Sequence, residues 1–497
     1  MKKYQTLGIA RRAMGGLLAL ALSGCAHGSP VRPSAWDTTP TPNVFWQPPD
    51  DAWPPRSPVR SPEIPDALRT RPWGVADALD VGLRNNPATQ AAWAQARAAA
   101  AGYGVARAAF FPEVNVNLGG GINLLHDTSK EGTNRTATVG PAVSVSWLLL
   151  DFGGRSASLE GARQALALAN WTQNATLQDT VLAIEMTYYL CLAANADLGA
   201  RRQTLRETEV NLESATRRYE AGVATIADVL QAKNALSQAK LALQVVEGQV
   251  QVTRGLLATT MGLPANLSFD VEELPTTLPL DGLTQKVDEL IERALAGRAD
   301  LLAARSAVLA SEANVRKVRS AGLPTVRLSS GAGSAYVNVS NTAAFGAGNR
   351  REDSLNAMAV LQFPLFTGYA QTFSEKQAIS ELDVSRARAR SLEDQTAFQV
   401  FRSYYDLQTA AQKVRTVEDL LRTAEQLERV SQGRYAEGMG TILELTTAQS
   451  ALADARAQGI RARWEWYTAL AQLAHDTGLL GLQGETPLDP RQPRSPN

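Results

Sequence analysis

The chain has 497 residues, and its 49 lysines and arginines equal its 49 aspartates and glutamates, so its formal net charge at pH 7 is zero. A balanced charge gives no basic surface that would attract nucleic acid, so we do not expect nucleic acid as a partner. The three histidines and two cysteines lack metal-ligand spacing, and the sequence has neither a phosphate-binding glycine loop nor a nucleophile elbow. We therefore expect no metal site, no catalytic residues, no cofactor and no enzymatic activity.

The N-terminus has the pattern of a signal peptide. In residues 1–24, two lysines and two arginines precede the apolar run AMGGLLALALSG, which is too short to span a bilayer as a helix. The sequence LSGC that ends at Cys25 resembles the lipobox of bacterial lipoproteins, in which the cysteine receives a covalent N-terminal lipid. By the same resemblance, Ala26 favours sorting to the outer membrane. The alternative is an ordinary signal peptide followed by an incidental cysteine.

Residues 25–71 and 481–497 are predicted to lie outside the folded body. Eleven prolines between Pro30 and Pro65 exclude a helix or a central strand and predict an extended spacer. The aromatic residues among these prolines either pin the spacer to the folded body or belong to a loose linker. The proline-rich end PLDPRQPRSPN predicts a disordered tail.

Residues 72–275 and 276–480 are two copies of one structural unit. The stretch RRYEAGVATIADVLQAKNAL at 217–236 recurs 216 positions later as GRYAEGMGTILELTTAQSAL at 433–452, with eight of twenty residues identical. A duplication of this length has to be recognised before the fold is assigned, because it dictates the architecture.

Each copy begins with an Ala-rich helix, 75–109 in the first copy, and continues with a β-hairpin. The alternation in EVNVNLGGGINL, with valine or leucine on one face and asparagine on the other, is typical of half-buried strands. The predicted strands lie at about 113–122 and 138–150 in the first copy and at about 325–339 and 354–366 in the second.

A long helix follows each hairpin. Apolar residues recur at every seventh position from Leu177 to Tyr219, which is the coiled-coil signature. Residues 155–219 would form a helix of about 100 Å at 1.5 Å per residue. The returning helix 225–260 and the Ala-rich helix together have about that length, so we expect them to stack end to end beside the long helix.

The turn after each long helix is punctuated in the same way in both copies. Gly222 and Gly438 fit the left-handed position at a helix C-terminus, and Thr225 and Thr441 fit the N-cap of the returning helix. Both turns therefore lie a full helix length from the hairpins. The alternative is a well-capped helical hairpin with no further role.

The hairpins favour a membrane barrel built from several chains. Four strands cannot close into a barrel alone, and open sheet edges are not tolerated in lipid. Three chains would give twelve strands around a water-filled lumen, with an aromatic girdle at the ends of the strands near the helices. The expected lumen-lining polar residues are Asn115, Asn117, Ser144 and Ser146. The alternative is a small soluble sheet.

Over residues 72–480 the chain resembles the TolC family of bacterial outer-membrane efflux proteins. The paired halves, the two hairpins and the RYxxGxxTI-type turns followed by ADVLQAKNAL and LELTTAQSAL carry the resemblance. The lipobox and the Pro-rich N-terminus resemble the lipoprotein branch that serves resistance-nodulation-division (RND) pumps. The resemblance implies an α+β fold. In it, a tandem-duplicated protomer supplies long coiled-coil helices to an α-barrel and four strands to a trimeric, 12-stranded transmembrane β-barrel.

The function implied by the resemblance is that of an exit duct. A homotrimer, lipid-anchored in the bacterial outer membrane with a periplasmic helical barrel, would passively conduct substrates from an inner-membrane transporter of the RND type. A periplasmic adaptor would join the two. The alternatives are the outer-membrane channel of a type I protein secretion system and a lipid-tethered periplasmic coiled-coil scaffold.

The resemblance also assigns roles to residues of the turns. By position, it implies a periplasmic gate formed by Asp228, Tyr435 and Glu444. The adaptor would dock on the hairpin tips, which include Arg218, Gly222, Thr225, Arg434, Gly438 and Thr441. Two positions depart from the family pattern, because Gly440 stands where the gate arginine is expected and Thr447 where a second acidic ring residue is expected.

Overall fold

The computed structural model describes residues 63–127, 132–273, 278, 280, 286–341 and 348–479. The predicted signal peptide, Cys25, most of the Pro-rich spacer, the tail and the turns of both β-hairpins lie outside these residues.

The two repeats contain the same helices in the same order. The first repeat has α1 (Val75–Asn85), α2 (Pro87–Ala108), α3 (Gly154–Glu220) and α4 (Ile226–Thr260). The second has α5 (Val287–Gly297), α6 (Ala299–Ser320), α7 (Ala370–Ala436) and α8 (Ile442–Asp476). Counterparts have equal lengths of 11, 22, 67 and 35 residues. The duplication predicted from the sequence is therefore also a duplication of structure.

The predicted single helix 75–109 is wrong, because the chain breaks at Asn86 into α1 and α2. Pro87 disfavours the helical conformation of the residue before it, and Asn86 accordingly adopts φ −65° and ψ 125°. The side chain of Asn86 then caps α2 by accepting a hydrogen bond from the N–H of Ala88 at 2.7 Å. Proline fits the first helical turn, where its missing N–H costs nothing.

The expected end-to-end stacking of the shorter helices is confirmed. The Asn86 side chain, at the start of α2, donates from Nδ2 to the carbonyl oxygen of Thr260, the last residue of α4, at 2.8 Å. In the second repeat, Arg298 donates from Nη1 to the carbonyl oxygen of Asp476, the last residue of α8, at 3.4 Å. Each pair of short helices therefore runs as one column beside a long helix.

The helices pack side by side in a fixed order. In the half next to the sheet the order is α2, α3, α6, α7, and in the far half it is α4, α3, α8, α7. The α2–α4 column and α7 are therefore the two lateral edges of the helical layer.

The core lies in the middle of the long helices, at equivalent places in both repeats. Ile184, Cys191 and Leu257 of the first cluster correspond to Val400, Leu407 and Leu473 of the second, and each of the six is at most 6% exposed. Ile184 and Cys191 occupy predicted heptad positions of the first long helix, and their burial confirms the coiled-coil prediction.

One stretch of α3 is, by length and composition alone, apolar enough to cross a membrane. Its hydropathy has another explanation, because Ile184, Tyr188 and Cys191 pack into the first core cluster and are at most 2% exposed. We therefore assign this stretch to the helical core.

The four strands form one antiparallel sheet in the order β1, β2, β3, β4. They are β1 (Glu113–Asp127), β2 (Gly132–Leu150), β3 (Thr325–Asn341) and β4 (Gly348–Gln362). The strands extend farther toward the hairpin turns than the predicted bounds. However, β4 ends before the predicted residue 366, because Pro364 has no N–H to donate to the ladder.

The register of the sheet separates an apolar face from a polar face. Val116 lies opposite Val143 on one face, and Asn115 lies opposite Ser144 on the other. Val116 is 75% exposed although it is apolar. In the single chain the sheet therefore leaves an apolar face uncovered, together with the free edges of β1 and β4.

A polar cluster, in which His475 is largely buried and Asp179 is exposed, joins the two repeats between α3 and α8. Nε2 of His475 lies 2.8 Å from Oδ1 of Asp179, and Nδ1 lies 3.1 Å from Oδ1 of Asp476. Burial alone would lower the pKa of His475, but hydrogen bonds and charge attraction from the two carboxylates raise the pKa to about 9. Arg402 and Asp406 of α7 line the same cavity. At neutral pH, His475 is therefore a cation held between carboxylates of both repeats.

We expect His475→Gln to lower the thermal unfolding midpoint of the purified protein at pH 6 and to flatten its pH dependence. Because the pKa of His475 is raised by folding, its stabilisation is complete below about pH 6.5 and is lost as the pH rises through about 9. The difference between wild type and variant, of order 1–3 kcal/mol at pH 6, should therefore vanish by pH 10. As a control, Asp179→Asn should move this loss to lower pH. An unchanged difference from pH 6 to 10 would show that the imidazolium does not hold the repeats together.

Candidate functional site

The candidate site is the pair of turns that join the long helices to the returning helices. Residues 218–225 form the first tip and residues 434–441 the second tip. Gly222 and Gly438 have φ values of 73° and 76°, in the left-handed region that residues with a Cβ adopt only with strain. The N–H groups after them complete the helix ends, since Val223 donates to the carbonyl of Arg218 at 2.9 Å and Met439 to that of Arg434 at 2.8 Å. These bonds form the Schellman motif and explain why glycine recurs at both tips.

The first returning helix begins with a complete capping box. The N–H of Thr225 donates to Oδ2 of Asp228 at 2.7 Å, and the N–H of Asp228 donates to Oγ1 of Thr225 at 3.3 Å. These reciprocal bonds satisfy two otherwise unpaired helix N–H groups. The structure thus gives Asp228 a local capping role, and its role in a gate stays a prediction.

The second returning helix has only one of the two hydrogen bonds of a capping box among the described contacts. Oγ1 of Thr441 accepts from the N–H of Glu444 at 3.2 Å, while Oε2 of Glu444 lies 3.9 Å from Nη2 of Arg434. The carboxylate of Glu444 is thus available to a cation on the neighbouring helix end.

Arg218 links the first tip to the second. Its Nη1 donates to the carbonyl oxygen of Tyr435 at 2.7 Å, and its guanidinium carbon lies 4.8 Å from the centroid of the Tyr435 ring. A charged hydrogen bond and a cation–π contact therefore act between the same two residues. The family resemblance placed Arg218 among docking residues and Tyr435 in the gate, but it did not predict a contact between them. The repeated Arg-Tyr dipeptide was the available signal.

Tyr435 is the most enclosed of the predicted gate residues. It is 8% exposed and packs with Ile442 and Leu445. Burial raises the pKa of Tyr435; the charge of Arg218 acts to lower it and that of Asp228 to raise it further. Its buried hydroxyl finds no hydrogen-bond partner among the described residues. Arg218 therefore holds the ring in place, with no help from the hydroxyl group within one chain.

Gly440 allows Arg434 to approach Glu444. A Cβ at position 440 would lie 3.2 Å from Cβ of Arg434 and 3.2 Å from Oε2 of Glu444, which is closer than most real Cβ contacts. Where the family pattern expects an arginine, this chain thus has a glycine with the cation of Arg434 beside it.

Both tips also expose apolar side chains. Val223 and Met439 occupy equivalent positions and are 66% and 68% exposed, and Ile226, Leu230 and Leu443 nearby are each more than half exposed. Clustered exposed apolar residues on a polar background are typical of a surface that binds another protein.

The comparisons with known proteins agree on one family. The sequence profile described as "Outer membrane efflux protein" matches residues 78–263 and 290–479, which are the two repeats. Protein CyaE of Bordetella pertussis is 29% identical over 440 residues, covering 86% of this chain and 90% of CyaE. Outer membrane protein TolC of Vibrio cholerae is 23% identical over 419 residues, covering 82% and 91%.

A solved structure shows the same fold. The outer membrane protein VceC of Vibrio cholerae superposes with a TM-score of 0.69 at 19% identity, covering 81% of this chain and 96% of VceC.

We expect Arg218→Ala to loosen the second tip selectively. Removing a charged hydrogen bond and a cation–π contact costs about 1–3 kcal/mol locally, so amide hydrogen exchange at 433–440 should become roughly 5- to 150-fold faster. The matched control is Arg217→Ala, whose side chain pairs with Glu213 on its own helix and should leave the second tip unchanged. Equal exchange in the two variants would contradict a structural link from Arg218 to Tyr435.

Proposed function

The chain belongs to the outer membrane efflux protein family and is an outer-membrane efflux channel, and we propose that it works as a homotrimeric exit duct. In this proposal the sheets of three chains close into one transmembrane barrel, and the helices form a periplasmic tube below it. The tips at the far end of the tube receive an adaptor protein. The channel conducts passively and carries no catalytic chemistry or cofactor of its own.

The free edges of the sheet are the main support for a trimer. Unpaired backbone groups at β1 and β4 cannot remain open in lipid, so each edge needs a strand of another chain. Leu118 and Leu355, on these two strands, are 82% and 83% exposed, which suits a lipid-facing surface. Twelve strands enclose a lumen wider than side chains can fill, and the polar face with Asn115 and Ser144 would line it.

The lateral edges of the helical layer support the same assembly. The edge formed by α2 and α4 exposes Trp93, Val245 and Val252, and the edge formed by α7 exposes Phe398 and Val430. Coiled-coil helices bury such apolar stripes against neighbouring helices. Docking α7 of one chain against the α2–α4 column of the next would cover both edges and close the tube.

The membrane and the gate complete the proposal. Exposed aromatic residues at the helix-proximal end of the sheet, Phe111, Trp147 and Phe363 among them, suit the interface girdle of an outer-membrane barrel. A lipid on Cys25 would add an anchor in the same membrane. Three copies of Glu444 would form an acidic ring that favours cations, with Asp228 and Tyr435 as further gate residues.

For partners, we propose a periplasmic adaptor at the tips and an inner-membrane transporter of the RND type behind it. The exposed apolar residues at both tips carry this proposal, because they lie at the end of the helices opposite the membrane sheet. The energy for export would come from the transporter.

We expect a photocrosslinker at Ala221 or Ala436, in living cells, to capture the adaptor. Both residues lie at the tips, next to Gly222 and Glu437. The matched control is a crosslinker at Arg163 of α3, whose side chain is 71% exposed but lies about 80 Å from the tip along the helix. Mass spectrometry should identify adaptor peptides from the tip positions only.

The identity of the pump that co-purifies with the crosslinked adaptor indicates the class of exported substrate. An RND transporter supports efflux, whereas an ABC transporter with loss of a secreted protein in a deletion strain would indicate the type I secretion alternative. Capture of only other copies of the chain, in cells that contain the adaptor, would contradict docking at the tips and favour the tethered scaffold.

A further inference from the structure

Arg218 and Tyr435 form a contact between the two repeats of one chain. The guanidinium of Arg218 covers the Tyr435 ring at 4.8 Å and bonds its carbonyl oxygen at 2.7 Å. Arg218 lies in the last turn of α3 and Tyr435 in the last turn of α7. A first-repeat arginine thus holds a second-repeat tyrosine.

The duplication places the same two residue types at the exchanged positions. Adding 216 to Arg218 gives Arg434, and subtracting 216 from Tyr435 gives Tyr219. The local backbone is also the same, because both long helices have 67 residues and both end two positions before a left-handed glycine. The chain therefore has a second arginine, Arg434, and a second tyrosine, Tyr219, in the local geometry that this contact requires.

Within one chain the second pair is not assembled. Tyr219 is 45% exposed, whereas its counterpart Tyr435 is 8% exposed. The Arg434 side chain is 54% exposed, and its Nη2 lies 3.3 Å from the carbonyl oxygen of Met439. Tyr219 thus lacks the cover that Arg218 gives to Tyr435.

The order of the helices indicates where the missing partner lies. In the far half of the helical layer the order is α4, α3, α8, α7, so a first-repeat pair of helices is followed by a second-repeat pair. In a closed ring of three chains, the next neighbour of α7 is the first-repeat pair of the adjacent chain. Within one chain, α8 lies between the long helices α3 and α7. Across the subunit boundary, α4 of the adjacent chain would lie in the same way between α7 and the adjacent α3.

We propose that Arg434 of each subunit clamps Tyr219 of the adjacent subunit, so that the site is complete only across the subunit boundary. This inference rests on the proposed trimer. The tip ring would then hold six arginine–tyrosine contacts, three within chains and three between them. Arg434 can serve Glu444 and the tyrosine together, because a guanidinium has five N–H donors and two faces.

The first test is crosslinking of Tyr219→Cys with Arg434→Cys in the full-length protein in membranes. A bismaleimide of about 10 Å suits a pair whose side chains meet but whose backbones lie on different helices. Native Cys191 is 1% exposed and should not react. We expect covalent dimers and trimers on denaturing gels, at least ten times more abundant than with either single variant.

The matched control is the pair Arg218→Cys and Tyr435→Cys, which the same reagent should join within one chain without producing larger species. Native gels of the same samples report whether trimers exist. A trimer without intersubunit crosslinks from Tyr219→Cys and Arg434→Cys overturns the clamp alone. Absence of a trimer overturns the proposed function instead.

A double-mutant cycle separates a specific contact from general proximity. Arg434→Ala and Tyr219→Ala should each speed dissociation of the detergent-solubilised trimer by roughly 2- to 30-fold, and the double variant should be no faster than the worse single variant. Tyr219→Phe keeps the ring and should behave as wild type. Additive single effects, or a Tyr219→Phe variant as unstable as Tyr219→Ala, would contradict the clamp.

Discussion

The backbone N–H and C=O groups at the two edges of the sheet need hydrogen-bond partners, and the arrangement of the other elements depends on this requirement. Four strands in the order β1 to β4 leave two ladders of N–H and C=O groups open, and lipid offers no partner for them. Only closure with strands of other copies removes both edges at once. Each long helix starts a few residues after β2 or β4, so closure of the sheets would also fix the spacing at which neighbouring helices begin. In the proposed trimer, oligomerisation would thus follow from the open edges of the sheet, and the sheet would set the spacing of the helices.

The equal lengths of the paired elements determine where the tips lie. Because α3 and α7 each have 67 residues and each follows a strand of the same sheet, both helices end at the same level. One helix longer by a single turn would displace its tip by about 5 Å, and a contact of the kind made by Arg218 and Tyr435 would be lost. The columns of short helices are also equal in length in the two repeats. The hydrogen bond from the start of α2 to the end of α4 has its counterpart between the start of α6 and the end of α8. Equal lengths make a ring of similar tips geometrically feasible.

The sequence predicted features with a local or periodic cause. The seven-residue period fixed the long helices, alternation fixed the two faces of the sheet, and Gly222 and Thr225 marked a turn, since each signal acts within a few residues. Pro87 indicates the break at Asn86, but the prediction of a single helix over residues 75–109 did not take it into account. The equivalent break at Arg298 precedes an alanine and has no such signal. Contacts between distant positions, such as His475 with Asp179, depend on which helix faces meet, and one sequence does not report that.

The two repeats use the acidic residue of their tips differently. Tyr219 and Tyr435 keep the same residue type, yet the second-repeat tip has Gly440 and Glu444 where the first has Ala224 and Asp228. The carboxylate of Asp228 accepts a hydrogen bond in the capping box of its own helix. The carboxylate of Glu444 instead lies beside the guanidinium of Arg434. A glycine at 440 permits this pairing, because any side chain there would crowd both partners. The second tip thus has no cation at position 440, and the cation beside Glu444 is Arg434, the counterpart of Arg218 at the end of the long helix. In the proposed trimer, the guanidinium of Arg434 would contact both Glu444 of its own tip and Tyr219 of the adjacent subunit.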